Sequence, residues 1–209
     1  MAWEGIDVKR TALLIVDLQN DFLHPDGAYA RGGQIATEIV ALPDRVLPVA
    51  EAIRARGGWV VSTQFTLVPG KDGEPFISPH LKKLRPFLGN GDFAPGSWGN
   101  SLVDALQPAD IKVEKVAYSA FFMTRMEWVL RKAGIEALYI CGIVTNGGVA
   151  STLRDAHIRD FHITLLSDGC AAFKRETHET SVADLGTVCR VATCAEATAE
   201  LLEGVWDQS

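Results

Sequence analysis

Short apolar runs of strand length, each separated from the next by a longer connecting segment, constrain this chain more than any other feature. The runs are Thr11–Val16 (TALLIV), Trp59–Thr63 (WVVST), Ile111–Val116, Ala137–Cys141 (ALYIC), Ile163–Leu166 and Val188–Ala192. Each is too short for an ordinary helix and matches a buried strand. Between them, Val46, Val49, Ala50 and Ile53 recur at helical spacing before Gly57-Gly58. Phe122, Met126, Val129, Leu130 and Ala133 do the same before Gly134. Further helices are predicted from about Gly148 to Arg159 and from about Lys174 to Gly186. Strand–helix–strand alternation demands right-handed crossovers and a mostly parallel sheet covered on both faces. The expected fold is therefore a three-layer α/β/α sandwich around a Rossmann-like sheet of about six strands. Lys112 and Glu114 mark the third strand as partly exposed.

At 209 residues the chain suits a single domain over 1–209. One stretch, 64–108, breaks the rhythm and is rich in Pro and Gly (Pro69, Gly70, Gly73, Pro75, Pro79, Pro86, Pro95, Gly96, Gly99). A connection so long is usually functional, which points to a lid or pocket wall, with a plain surface excursion as the alternative.

A net charge of −6 and the absence of a basic stripe argue against nucleic acid and anionic membranes as partners. The longest basic cluster, Lys82, Lys83 and Arg85, is expected to be a solvated face. No segment has the ~20 apolar residues of a membrane span. Met1–Arg10, with Glu4 and Asp7, lacks a signal core, so a cytoplasmic location is expected. Cys141, Cys170, Cys189 and Cys194 form no CxxC pair and are expected to be reduced and structural.

Ligands of an open parallel sheet bind beyond the carboxyl ends of its strands. That rule selects Asp17, Gln19, Asn20, Asp21 and Phe22 after the first strand, and Gln64 and Phe65 after the second. It also selects Lys115, Tyr118, Ser119 and Phe121, then Gly142 to Gly148, and Asp168. Asp17 ends an apolar run, and a buried carboxylate is costly unless paired; Lys115 is the natural partner. Such a pair is either a structural salt bridge or a proton-transfer unit that titrates as one. Gly147-Gly148 at a helix start leaves backbone N–H groups able to meet a carboxylate, a phosphate or an oxyanion, though a tight turn alone also uses glycines. The spacing matches no nucleotide-binding glycine motif, and no cofactor is expected.

Three blocks in this order, LLIVDLQNDF (Leu13–Phe22), EKVAYSAF (Glu114–Phe121) and CGIVTNGGVASTLRDA (Cys141–Ala156), resemble the signature blocks of isochorismatase-like hydrolases. FAPGSWGNSLVDAL (Phe93–Leu106) and SDGCAAF (Ser167–Phe173) resemble that family's connecting segments. The resemblance implies a three-layer fold, a homo-oligomer (dimer or tetramer), and hydrolysis that in most members uses an Asp–Lys–Cys triad. It assigns the aspartate to Asp17, the lysine to Lys115, a frequent cis peptide to Val144-Thr145, and the nucleophile's place to Gly148. Without a thiol at 148 no covalent acyl-enzyme forms there. Isochorismatases proper also carry glycine at this point, because an acid can protonate their vinyl ether while water attacks.

The resemblance thus favours a cofactor-free hydrolase of a small anionic metabolite, with vinyl-ether cleavage leading, Asp17 as acid and Lys115 orienting it. Phe22, Gln64, Tyr118, Val144, Thr145 and Gly147 are the expected substrate contacts. One departure weighs against isochorismate itself: Ala117 stands where those enzymes often carry arginine. The alternatives are C–N hydrolysis of an amide or ureido compound by activated water, and a non-catalytic small-molecule binder. Metal-dependent relatives place Asp and His just after the second strand, but here that stretch reads Gln64-Phe65-Thr66-Leu67, and His24 and His80 are isolated, so no metal is expected. Phe22, Phe65, Trp98, Tyr118 and Phe121 offer an aromatic pocket, with core packing as the alternative for about half of them. Arg154, Asp155, Arg159 and Asp160 suggest a polar helix face or intersubunit ion pairs. His157 and His178 are expected to be ordinary helix residues.

Overall fold

The computed structural model describes residues 7–203; Glu4 and the rest of 1–6, like 204–209, lie outside the described residues. The elements run β1 (Thr11–Val16), α1 (Asn20–Leu23), α2 (Ala28–Arg31), α3 (Thr37–Val40), α4 (Leu42–Ala55), β2 (Trp59–Phe65) and α5 (Pro79–Leu84). They continue with β3 (Ile111–Lys115), α6 (Met126–Lys132), β4 (Ala137–Ile143), α7 (Ala150–Ile158), β5 (His162–Ala171), α8 (Arg175–Leu185), β6 (Arg190–Ala192) and α9 (Cys194–Glu203).

The strands form one sheet in the order β3-β2-β1-β4-β5-β6, and every pairing is parallel. The chain starts in the middle, builds outward to β3, then returns to β1 and builds the other way. The order reverses between β1 and β4, where an α/β sheet opens a crevice at its carboxyl edge. Both strands there are wholly buried, consistent with their unbroken apolar sequences. Helices flank the sheet: α4 packs on β1, β2, β5 and α9, while α7 and α8 pack on β5. Burial of Leu13, Leu14, Ile15, Val60, Val61 and Ile140 between these layers is the main stabilising term.

β1 and β4 approach so closely that only glycine fits at 142. Its φ is +120°, and a Cβ there would lie 2.0 Å from the Val16 carbonyl oxygen.

The elements depart from the sequence expectation in informative places. β2 runs on through Gln64 and Phe65, and β5 through Asp168 and Cys170, so these residues lie within strands rather than beyond them. α6 begins at Met126, not Phe122, because the Thr124 hydroxyl accepts the Met126 N–H and starts the helix there. Phe122 is left outside and exposed. A single π-helical turn, Thr145–Val149, precedes α7. The 64–108 segment carries α5 and is pinned by side chains of the first strand's loop. Asp21 accepts the N–H groups of Ala28 (3.0 Å) and Phe93 (2.7 Å), and Gln19 donates to the Phe65 and Asn100 carbonyls. Among the described residues, no helix is long and apolar enough to cross a membrane.

Candidate active site

Asp17 follows β1 with φ 57°, a left-handed conformation that aspartate tolerates better than most residues. That bend turns its carboxylate toward the carboxyl ends of β2 and β3. Thr63 of β2 holds it there twice, accepting the Asp17 N–H at 3.1 Å and donating its hydroxyl to Oδ1 at 2.5 Å. The other oxygen, Oδ2, lies 2.6 Å from Lys115 Nζ. Lys115 comes from the end of β3 and also donates to the Ala117 carbonyl at 3.0 Å. Its ammonium stands 5.6 Å from the centre of the Phe65 ring. Both ionic side chains are buried. A buried pair of this kind is retained only when further hydrogen bonds satisfy its remaining donors and acceptors, as Thr63 and Ala117 do here.

The third part of the site is the π turn, at Gly148. Gly148 is buried beside the carboxylate: a Cβ there would sit 3.3 Å from Asp17 Oδ2 and 2.8 Å from the Ile143 carbonyl oxygen. The positive end of α7 lies just beyond. A cis peptide does occur at this turn, but between Ile143 and Val144, one residue earlier than the Val144-Thr145 expectation.

These groups open into a cavity of about 310 Å³ lined by Asp17, Lys115, Gly148, Ile143 and Val144. Phe22, Tyr29, Phe65, Tyr118 and Phe173 give it aromatic walls, and Ser78, His80, Leu81, Leu84 and Arg85 close one side from α5. A larger cleft of about 570 Å³ lies along β3, lined by Gln64, Lys112, Glu114 and Arg125; it contains neither Asp17 nor Lys115, so the smaller one is the candidate active site.

The expected substrate contacts divide accordingly. Phe22, Tyr118 and Val144 line the cavity; Gln64, Thr145 and Gly147 do not. Side chains alternate along β2, so Phe65 rather than Gln64 faces the cavity, and the Gln64 amide donates to Ser62 instead. Thr145 is buried with its hydroxyl 2.8 Å from His178 Nδ1. Of the remaining aromatic candidates, Phe121 packs on Phe161 in the core and Trp98 sits edge-on to His24, away from the cavity. Asp168 lies across the sheet from the site and caps α9 by accepting the Cys194 N–H. Arg154 and Arg159 pair within the chain, with Asp184 and with Glu127 and Asp155. Cys170 is buried in β5 with its thiol directed at the Ile140 carbonyl, and burial pushes that thiol well up.

Thr63, Tyr29, Phe173 and Arg85 were not singled out as site residues. Thr63 stands at the carboxyl end of a strand and could have been found by that rule. Arg85 is the larger correction: the basic cluster is not wholly a solvated face. Lys82 donates to the Leu88 carbonyl, whereas Arg85 is half-buried and lines the cavity.

An isochorismatase domain model matches residues 11–197. The chain is 34% identical over 174 residues to the ureidoacrylate amidohydrolase RutB of Caulobacter vibrioides, covering 78% of this chain and 77% of that one. It is 36% identical over 175 residues to RutB of Azorhizobium caulinodans, with the same coverage of 78% and 77%. Among solved structures, the cysteine hydrolase of Pseudomonas syringae pv. phaseolicola shares the fold at a TM-score of 0.80 and 24% identity, covering 99% of this chain and 100% of that one. The pyrazinamidase of Pyrococcus horikoshii, in complex with zinc, does so at a TM-score of 0.71 and 24% identity, covering 88% and 99%. With a domain match over most of its length and relatives above 30% identity, the chain belongs to the isochorismatase family.

Proposed function

We propose that this protein hydrolyses the C–N bond of a small amide or ureido compound with water activated by Asp17, without a covalent intermediate. The observation that carries this reading is the position of Asp17 Oδ2, between Lys115 Nζ at 2.6 Å and the bare backbone of Gly148. Gly148 stands where the family resemblance puts the nucleophile, and the space a side chain would take there is within hydrogen-bonding reach of the carboxylate. A water in that space is the nucleophile.

Asp17 accepts a proton from this water as its oxygen adds to the substrate carbonyl carbon. The carbonyl π electrons move onto oxygen, and the resulting negative charge faces the start of α7 and the Lys115 ammonium. On collapse the C–N bond breaks, and the nitrogen leaves with the proton held by Asp17, which returns to carboxylate. A ureido substrate gives carbamate and an amine; an amide gives a carboxylic acid and an amine. Lys115 fixes the Asp17 carboxylate through their ion pair, and Thr63 sets its rotamer.

The ligand chemistry needed for zinc does not fit this site. Among the described residues no three His, Cys, Asp or Glu side chains gather as a metal set, and His80 is the cavity's single histidine.

Vinyl-ether cleavage, with Asp17 as the acid, is the second reading. It uses the same pair, but the RutB relatives named above are amidohydrolases and Ala117 supplies no cation. We also propose a homo-oligomer: Val116, Tyr118, Phe122, Met123 and Trp128 leave apolar side chains exposed between β3 and α6.

The test compares turnover of ureidoacrylate, followed by release of ammonia from the carbamate, with turnover of isochorismate, followed by pyruvate. Ureidoacrylate turnover is expected. Pyruvate release alone moves the assignment to the vinyl ether, and saturable binding without turnover of either makes the protein a binder.

A further inference from the structure

Asp17 and Lys115 neutralise each other, so the cavity's remaining cation decides what charge a substrate brings. That cation is Arg85, the residue that follows α5. Among the described residues no carboxylate pairs with it, and one of its terminal nitrogens donates to the Leu84 carbonyl at 2.9 Å. Its Nε is buried with no hydrogen-bond partner, a state that proteins rarely tolerate without a use.

The guanidinium is also held in place. It lies 5.0 Å from the centre of the Phe173 ring and 5.6 Å from that of Tyr29. Those two rings stack on each other, 5.8 Å apart and 12° from parallel. Burial pushes the Tyr29 hydroxyl up, and the adjacent guanidinium acts against that shift, so tyrosinate does not form to neutralise the arginine. A planar, pre-oriented guanidinium whose Nε has no partner, in an apolar-walled cavity, is suited to a carboxylate.

We infer that Arg85 anchors a carboxylate of the substrate and makes the enzyme selective for amido or ureido acids over their uncharged analogues. This rests on the C–N hydrolase reading for its kinetic consequence but not for binding. Arg85 acts on specificity: it holds the end of the substrate opposite the scissile bond and takes no part in proton transfer.

The experiment measures binding and turnover separately. Binding is read by calorimetric titration of 3-ureidoacrylate and its methyl ester into Asp17→Asn/Lys115→Met, which leaves Arg85 as the charged group under test and does not consume them, and into the same variant carrying Arg85→Met as well. Methionine keeps an apolar stem against Tyr29 and Phe173. The acid is expected to bind at least tenfold tighter than the ester, and Arg85→Met is expected to remove that difference by weakening the acid alone. In turnover, Arg85→Met is expected to raise KM for the acid at least tenfold with a smaller change in kcat, and Arg85→Lys to recover part of the loss. Equal affinity for acid and ester, an unchanged affinity for the acid in the Arg85→Met background, or no saturable binding of the acid overturns the anchor. Acid-selective binding that needs Arg85, with no turnover by the wild type, leaves the anchor standing and overturns the hydrolase reading instead.

Discussion

Lys115 Nζ lies 2.6 Å from Asp17 Oδ2, joining the ends of two strands that are not neighbours in the sheet. Both side chains are largely buried, so removing one leaves the other without its partner. Lys115→Met is expected to destabilise the fold by about 3–5 kcal/mol. The double variant Asp17→Leu/Lys115→Met is expected to regain most of that loss while remaining inactive. Urea denaturation of the two variants and the wild type checks it; equal destabilisation by single and double variants would show that the pair is not isolated from solvent.

Gly148 offers a second handle. A Cβ there meets the Ile143 carbonyl at 2.8 Å and the Asp17 carboxylate at 3.3 Å. Gly148→Ala is expected to cost about 1–3 kcal/mol through local overpacking, and to lower kcat by displacing the attacking water. Gly148→Val should abolish turnover. Thermal melts and steady-state kinetics separate the two effects, and a fully active Gly148→Val would remove water from this position.

Thiol chemistry provides a third. Burial pushes the thiols of Cys141, Cys170 and Cys194 well up, and that of Cys189 up to about 11. None is a thiolate at neutral pH, and the thiolate is the reactive form. Iodoacetamide at pH 7.5 is expected to leave activity unchanged, whereas Gly148→Cys should acquire a site that it modifies. Inactivation of the wild type would point to a cysteine nucleophile.

His178 gives a pH signature. Burial holds its imidazole below the ordinary 6.5, and its Nδ1 lies 2.8 Å from the Thr145 hydroxyl. Since the folded-state value is depressed, the unfolded chain binds more protons between that value and 6.5. The His178 contribution to stability is therefore complete above about pH 6.5 and declines as pH falls through its folded value. His178→Gln is expected to flatten the decline in Tm between pH 7 and pH 5, and an unchanged slope would assign that decline to carboxylates.

Much of the fold was legible because buried parallel strands write unbroken apolar runs into sequence. Asp17 and Lys115 were legible for the same reason: a charge at the end of such a run needs a partner. What escaped depended on strand ends and distant contacts. β2 extends two residues further than its apolar run, and that parity puts Phe65, not Gln64, toward the cavity. Arg85 reads locally as part of a basic surface cluster. The stacked Tyr29 and Phe173 rings that hold its guanidinium are remote from it in sequence.

Turnover of ureidoacrylate by wild type and by Asp17→Asn tests the central claim most directly, with circular dichroism to establish that both are folded. Hydrolysis by the wild type is expected, with a loss of about 10²–10⁴-fold in kcat for a folded Asp17→Asn, the size expected when a general base is removed. A folded Asp17→Asn that hydrolyses ureidoacrylate as fast as the wild type would contradict it.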